Sequence, residues 1–234
     1  MFRKNFHKID TNLFHLFVYN KRKTMMQLMN ALFHFVMLMT TKHKIDDSHG
    51  IKHSMDVLHF AKNIYDHECG RNTLLIGQEK VIYVSAVVHD LCDKKYMNES
   101  VGILEIQDFL KDTHLIENEE IDAVKNIIST MSYSTVKKNG YPNLGKYQHA
   151  YHIVREADLL SAYDFDRCMI YSIAKKHDTL ETAYTEAKTL FHNRILKYDH
   201  DQLLISEYSR NTSKKLYSKA IRRMTMWKRI LRVI

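Results

Sequence analysis

A histidine and an aspartate stand side by side at the end of an apolar stretch, residues 81–88. Val81, Val84 and Val88 recur at helical spacing, which predicts a buried helix face leading into His89 and Asp90. A buried, ionised carboxylate must be neutralised, paired or bound to a cation, and the adjacent imidazole suits a cation. Taken alone, the pair is equally compatible with a core histidine beside a solvated aspartate.

Two further segments direct polar side chains inward. Stepping back four residues from Val57 puts His53 on the apolar stripe of a helix predicted to run to Tyr65. Asp158 shares a predicted stripe with its apolar neighbours in residues 151–160. Taken singly, His53 could be a hydrogen-bonded core histidine. His49, one turn earlier, could be a second ligand or a residue at the rim of a site.

The composition predicts an all-α fold in one domain. The chain has 234 residues with six glycines and one proline, which favours helices joined by short polar turns. The three cysteines have no CxxC spacing, so neither a disulfide framework nor a zinc knuckle is indicated. A reducing compartment follows, and we expect a cytoplasmic protein. The three are Cys69, Cys92 and Cys168.

The formal net charge of +8 is concentrated at the end of the chain. Residues 205–234 hold nine basic residues against the single acid Glu207, so the remainder is formally neutral. Such a segment can bind phosphates or lipid headgroups, or it can simply increase solubility. An apolar stripe predicts instead a helix that closes the core, which disfavours nucleic acid as a partner. The stripe comprises Leu216, Ala220, Met224, Trp227 and Leu231.

Residues 25–39 form the most apolar segment near the start of the chain. They are too few and too polar to cross a bilayer, so no membrane span is predicted. We expect a helix that packs on the core through Leu28, Leu32, Phe35 and Met39. The predicted division is an N-terminal extension, residues 1–24, followed by one domain, residues 25–234.

The order His53, His89-Asp90, Asp158 resembles the H…HD…D pattern of the HD-domain metal-dependent phosphohydrolases. His49-Gly-Ile-Lys-His53 resembles the paired histidines of that superfamily, and Ala157-Asp158-Leu-Leu resembles its alanine-aspartate helix. The resemblance implies an HD-domain helical bundle with additional N- and C-terminal helices. It also implies one divalent ion held by His53, His89, Asp90 and Asp158.

A closer resemblance, over roughly residues 25–230, is to a branch that includes nucleoside-triphosphate pyrophosphohydrolases. Residues 89–96 are similar to its HD-x-x-D-x-K segment. The implied activity is hydrolysis of a small phosphate substrate, a nucleotide in the first instance. The alternatives are a nucleoside monophosphate or cyclic-nucleotide phosphodiester hydrolase, and a nucleotide-binding protein without activity. The chain departs from the branch at Gly50, Asp56, Leu159 and Ser161.

The mixed nitrogen and oxygen ligand set suits manganese first, with iron, cobalt, nickel, magnesium and zinc as alternatives. Asp90 is assigned a catalytic role as a ligand. Asp93 is also assigned a catalytic role. If the helix continues, Asp93 lies on the same face as the ligands and could orient water or relay a proton. If the helix does not continue, Asp93 is a surface acid. Lys95 is the expected phosphate contact, with His49 as a second substrate-binding residue.

Some relatives of this family bind two metal ions through additional histidines between the HD pair and the last aspartate. The chain has three histidines in that interval, but their positions match poorly, so one ion is predicted. The three are His114, His149 and His152. The oligomeric state is left open.

Overall fold

The computed structural model describes residues 11–232, with side chains from residue 19 onward. These residues form α-helices joined by short connections and contain no strand, which confirms the all-α prediction. The helices are α1 (Thr11–Lys42), α2 (Ile51–Cys69), α3 (Glu79–Val88), α4 (Glu99–Thr113), α5 (Asn118–Thr130), α6 (Tyr133–Asn139), α7 (Gln148–Ser161), α8 (Phe165–Lys176), α9 (Leu180–Asn193) and α10 (Glu207–Ile230).

Helix α3 lies at the centre of the bundle, packed against α1, α2, α5 and α7. Seven of its ten residues are buried, because it is apolar on nearly every side. Helices α2 and α7 also pack directly on each other. The three helices that carry the predicted ligands are therefore mutual neighbours in the core.

Side chains cap several of the helices. Asn98, Asp164 and Ser206 accept backbone N–H groups at the starts of α4, α8 and α10, as expected for these residue types. Helix α2 differs, because its N-cap is Gly50 and no side chain caps it. Asp47 and Ser48, which precede it and are of types that favour capping, do not cap the helix.

The apolar segment near the start of the chain lies within α1. Its four predicted core residues, 28, 32, 35 and 39, are buried, so the predicted packing face is confirmed. The predicted boundary between residues 24 and 25 falls inside this helix, and the division into extension and domain stays a prediction. Residues 1–10 of the predicted extension lie outside the described residues. Within the described part, no helix is long and apolar enough to span a membrane.

Helix α10 closes one side of the bundle against α2, α7 and α8. Ala220 and Met224 are buried in the core, and Trp227 is partly buried against it. The indole Nε1 of Trp227 donates a hydrogen bond to Asp166 Oδ1 at 2.7 Å, and Arg223 pairs with the same carboxylate. These contacts with α8 fasten the basic helix to the domain, as the apolar stripe predicts.

Replacing Trp227 by Ala should lower the free energy of unfolding by about 2–3 kcal/mol, less than the ~3–5 kcal/mol of a fully buried tryptophan. Trp227→Phe keeps the ring contacts but loses the hydrogen bond to Asp166, so it should cost about 1 kcal/mol. Urea denaturation followed by circular dichroism measures both. Equal stability of all three proteins would contradict the packing of α10 on α8.

Candidate metal centre

The four predicted ligands come from three neighbouring elements. His53 lies in the first turn of α2, and His89 directly follows the last residue of α3. Asp90 is the next residue, and Asp158 lies in the last turn of α7. Because α2, α3 and α7 pack on one another, their side chains converge at one end of the core.

The geometry of the convergence is close. The Nε2 atoms of His53 and His89 are 3.1 Å apart. Asp90 Oδ2 lies 2.9 Å from His53 Nε2, and Asp90 Oδ1 lies 3.3 Å from His89 Nε2. Asp158 Oδ1 is 3.6 Å from both Nε2 atoms. Donor atoms of His53, His89 and Asp158 all lie within 4.8 Å of one another, a separation that one metal ion can bridge.

The orientation of His89 fits a metal ligand. Its Nδ1 donates to the carbonyl oxygen of Ala86 at 2.9 Å, which leaves Nε2 directed at the cluster. Metal-binding histidines commonly donate their second ring nitrogen to a backbone carbonyl in this way, and the bond fixes the tautomer. Both imidazoles are buried, whereas Asp90 and Asp158 keep 17% and 25% of their side chains exposed. The carboxylates therefore face an accessible space.

The charges of the cluster depend on one another. Burial raises the pKa of Asp90 and of Asp158, but the imidazole of His89 and the hydrogen bonds outweigh it, so both pKa values lie well below the usual range. Burial lowers the pKa of His89, yet the two carboxylates outweigh that effect and raise it well above its usual value. Burial and then the charge of Arg167 lower the pKa of His53 to about 4, so it is neutral near pH 7. A proton on His89 thus offsets part of the negative charge.

A divalent cation fits this donor set. Two carboxylates and two imidazoles carry a formal charge of −2 when no proton is bound, which one divalent ion neutralises. Such an ion would take the place of the proton on His89. Three of the four predicted ligands, His53, His89 and Asp158, lie close enough together to hold it, and Asp90 lies against the two imidazoles.

The cluster opens into a cavity of about 790 Å³. Its wall includes His89, Asp90 and Asp158, and it also carries basic and aromatic side chains. Those that bear on the chemistry are Lys95, Arg167, Arg194, Tyr133, Tyr171 and Tyr198.

Asp93 and Lys95 form a pair in this wall. Asp93 Oδ1 accepts the backbone N–H of Lys95 at 2.8 Å, and Oδ2 lies 3.1 Å from the Lys95 ammonium. The helix does not continue through Asp93, because α3 ends at Val88 and a turn follows. Asp93 therefore lies in the cavity wall without sharing a helix face with the ligands.

His49 lies beside the cluster in the loop before α2 and is buried. Its Nδ1 is 2.6 Å from Ser48 Oγ and 2.9 Å from the Tyr96 hydroxyl. Its Nε2 is 3.2 Å from Lys95 Nζ. His49 lines the cavity as a neighbour of Lys95 and is outside the group of donor atoms that could share an ion.

Arg167, which no sequence motif singles out, lies against the cluster. Its Nη1 is 2.7 Å from Nδ1 and 2.9 Å from Nε2 of His53, and 3.3 Å from the Ser48 carbonyl oxygen. It lies in the first turn of α8, which Asp164 caps. The cap marks the start of α8 but does not predict the contact of Arg167 with His53.

The histidines considered for a second ion do not form a second group among the described residues. His152 Nε2 accepts from Gln148 at 3.0 Å, and His114 ends α4 in a left-handed conformation. The prediction of one ion is consistent with this placement.

Comparison with known proteins gives a likeness in fold only. No family model matches the chain, and no curated protein matches it. The fold is similar to the crystal structure of a structural-genomics target from Lactobacillus plantarum, with a TM-score of 0.64 and 18% sequence identity. The match covers 88% of this chain and 97% of that protein. At this identity the likeness shows the fold alone and carries no activity over to this chain.

Asp158→Asn should abolish tight binding of manganese, because the amide keeps the shape of the carboxylate but loses its charge. Asp93→Asn is the matched control and should retain the ion, since Asp93 contacts Lys95 rather than the cluster. Equilibrium dialysis followed by elemental analysis measures bound metal. For the wild type, manganese at 100 times its Kd should also stabilise the fold by about 2.7 kcal/mol.

Retention of manganese by Asp158→Asn, or its loss from Asp93→Asn with the fold intact, would contradict the assignment of the ligands.

Proposed function

We propose that the chain is a metal-dependent phosphohydrolase that acts on a nucleotide or a related phosphate ester or anhydride. The observation that carries the proposal is the cluster of His53, His89 and Asp158, with Asp90 against both imidazoles, beside a cavity with cationic walls. The resemblance of their order to the HD pattern points the same way. A nucleoside-triphosphate pyrophosphohydrolase is the activity that the closer resemblance favours.

The four side chains would hold the ion. When bound, a divalent ion supplies Lewis acidity, which activates water and offsets the charge that gathers on phosphate oxygens. Manganese is our first choice because two nitrogen and two oxygen donors suit a borderline divalent metal. Asp90 contributes to catalysis as a ligand, in contact with both imidazoles.

The cations in the cavity wall would bind the phosphates. Lys95 keeps 42% of its side chain exposed, and Asp93 and His49 hold its ammonium at the wall. Flexible ammonium groups and guanidinium forks are the usual protein partners of phosphate oxygens. In this proposal Asp93 acts mainly by positioning Lys95, because both of its oxygens are engaged there. A role of Asp93 in moving a proton would require one oxygen to leave Lys95.

Arg167 is the second phosphate-binding candidate. Its guanidinium is permanently charged, and it forms no ion pair with a carboxylate among residues 19–232. It contacts His53 Nε2, so it has to leave that atom before the atom can bind a cation. From the cavity wall the guanidinium can then reach a phosphate oxygen. This exchange would link substrate binding to occupation of the metal site.

Aromatic side chains favour a substrate that carries a base. Tyr133 and Tyr171 line the same cavity and are partly exposed, and a flat apolar ring packs well against such faces. The cavity volume of about 790 Å³ lies within the range of small-molecule sites. A nucleotide combines a flat ring with the phosphates that the cations would bind.

The proposal is tested by incubating the purified protein with manganese and a panel of nucleoside mono-, di-, tri- and cyclic phosphates. We expect a triphosphate to release pyrophosphate, measured by ion chromatography, and Asp158→Asn to release none. Release of phosphate from monophosphates, or opening of cyclic nucleotides, would favour the alternative hydrolases. Nucleotide binding without any release would favour the non-catalytic alternative and contradict the proposal.

Lys95→Ala should lower kcat/KM for a triphosphate by roughly ten- to a hundred-fold, about 1.4–2.7 kcal/mol, because one charge-assisted contact is lost. The effect on a monophosphate should be small, since the distal phosphates that Lys95 meets are missing. Lys215→Ala is the control, because it removes an exposed ammonium that lies outside the cavity wall. Steady-state kinetics at constant manganese measure all three proteins.

Unchanged triphosphate turnover in Lys95→Ala, or an equal loss in Lys215→Ala, would contradict the role assigned to Lys95.

A further inference from the structure

A second cavity, of about 380 Å³, adjoins the first. It shares Met131 and Tyr133 with the larger cavity beside the candidate metal ligands. It includes none of the four ligands themselves. Its remaining wall comes from α6, the loop that follows it, α7 and the segment before α10. Most of the lining is apolar or aromatic, contributed by Met131, Tyr133, Val136, Tyr141, Leu159 and Leu203.

One buried cation lines this cavity. Arg155 lies on α7, and only 3% of its side chain is exposed. Its Nη2 donates to the carbonyl oxygen of Leu203 at 2.6 Å. Its Nε is buried and has no acceptor among the described residues. A buried donor of a charged group is costly unless an acceptor reaches it, and Arg155 Nε has none in the part of the chain that the structure describes.

The nearby carboxylate does not fill that role. Glu156 Oε1 lies 3.7 Å from Arg155 Nη2, beyond hydrogen-bond distance. Both of its oxygens accept hydrogen bonds from the turn before α10, namely from Ile205 N, Ser206 N and Ser206 Oγ. Glu156 therefore fastens that turn and offsets the charge of Arg155 only at a distance.

The other charges of the cavity wall are Lys137 and Asp201, which have opposite signs. Asp201 also accepts from His200 Nδ1 at 2.9 Å. The ring of Tyr141 covers the Arg155 guanidinium, with its centre 4.9 Å from the guanidinium carbon. The ring supplies no hydrogen-bond acceptor. The wall thus carries one net positive charge in an apolar setting.

We propose that this cavity binds a small monocarboxylate with an apolar body. The carboxylate would accept from the guanidinium nitrogens of Arg155 that Leu203 does not use, a pairing whose geometry is favourable. The hydrocarbon would pack against Met131, Val136 and Leu159. A phosphate monoester fits less well, because its second charge has no buried partner and the lining is mostly apolar. The inference does not depend on the catalytic proposal, since it involves none of the metal ligands.

Isothermal titration calorimetry of the full chain tests the proposal, with octanoate as the probe. We expect octanoate to bind with a Kd below about 1 mM. Octan-1-ol has the same carbon chain without the charge and should bind at least tenfold more weakly. Inorganic phosphate at 5 mM, about five times that Kd, should not compete. Equal binding of the alcohol, competition by phosphate, or no binding of octanoate would each overturn the proposal.

Two variants locate the site. Arg155→Gln should weaken octanoate binding at least tenfold while leaving the affinity for octan-1-ol unchanged. Because loss of the bond to Leu203 could unfold that variant, Val136→Phe provides a second test that leaves Arg155 in place. The added ring should fill the cavity and abolish binding, whereas Val136→Ala should bind octanoate within about threefold of the wild type. Octanoate binding to a folded Val136→Phe protein with unchanged affinity would overturn the proposal.

Discussion

The close contact of two partly exposed carboxylates with two buried imidazoles is the constraint on which the described structure depends. Asp90 and Asp158 are held ionised by the imidazoles, and His89 is held protonated by the carboxylates. The negative charges of the carboxylates and the positive charge of His89 stabilise each other at the end of the core. The apolar helix α3 places His89 there, and its packing against α2 and α7 brings His53 and Asp158 within reach. A divalent ion would satisfy the same carboxylates without the proton.

The larger cavity combines this negative floor with positive walls. Lys95 is restrained by Asp93 and His49, whereas Arg167 rests against His53. A phosphate group needs both parts, a metal to polarise it and cations to hold its oxygens. The adjoining cavity has a different character, because its single buried guanidinium lies among apolar side chains. The two cavities therefore suit ligands of different chemistry, although Met131 and Tyr133 belong to both.

Helical periodicity predicted the parts of the structure that depend on local sequence. The all-α fold, the buried stripe of α1 and the inward direction of His53 follow from apolar residues at spacings of three and four. The turn that follows α3 was not predictable in this way, although it places Asp93 beside Lys95. Arg167 was not predictable either, because it is 114 residues from His53 and only tertiary packing brings them together.

X-ray absorption spectroscopy of the protein loaded with one equivalent of cobalt tests the central claim most directly. We expect a shell of nitrogen and oxygen atoms at about 2.0–2.2 Å, with the outer-shell scattering of two imidazoles. That result would place both His53 and His89 on one ion, as their 3.1 Å separation of Nε2 atoms requires. A shell of oxygen atoms alone, without imidazole scattering, would contradict a metal centre built on these two histidines.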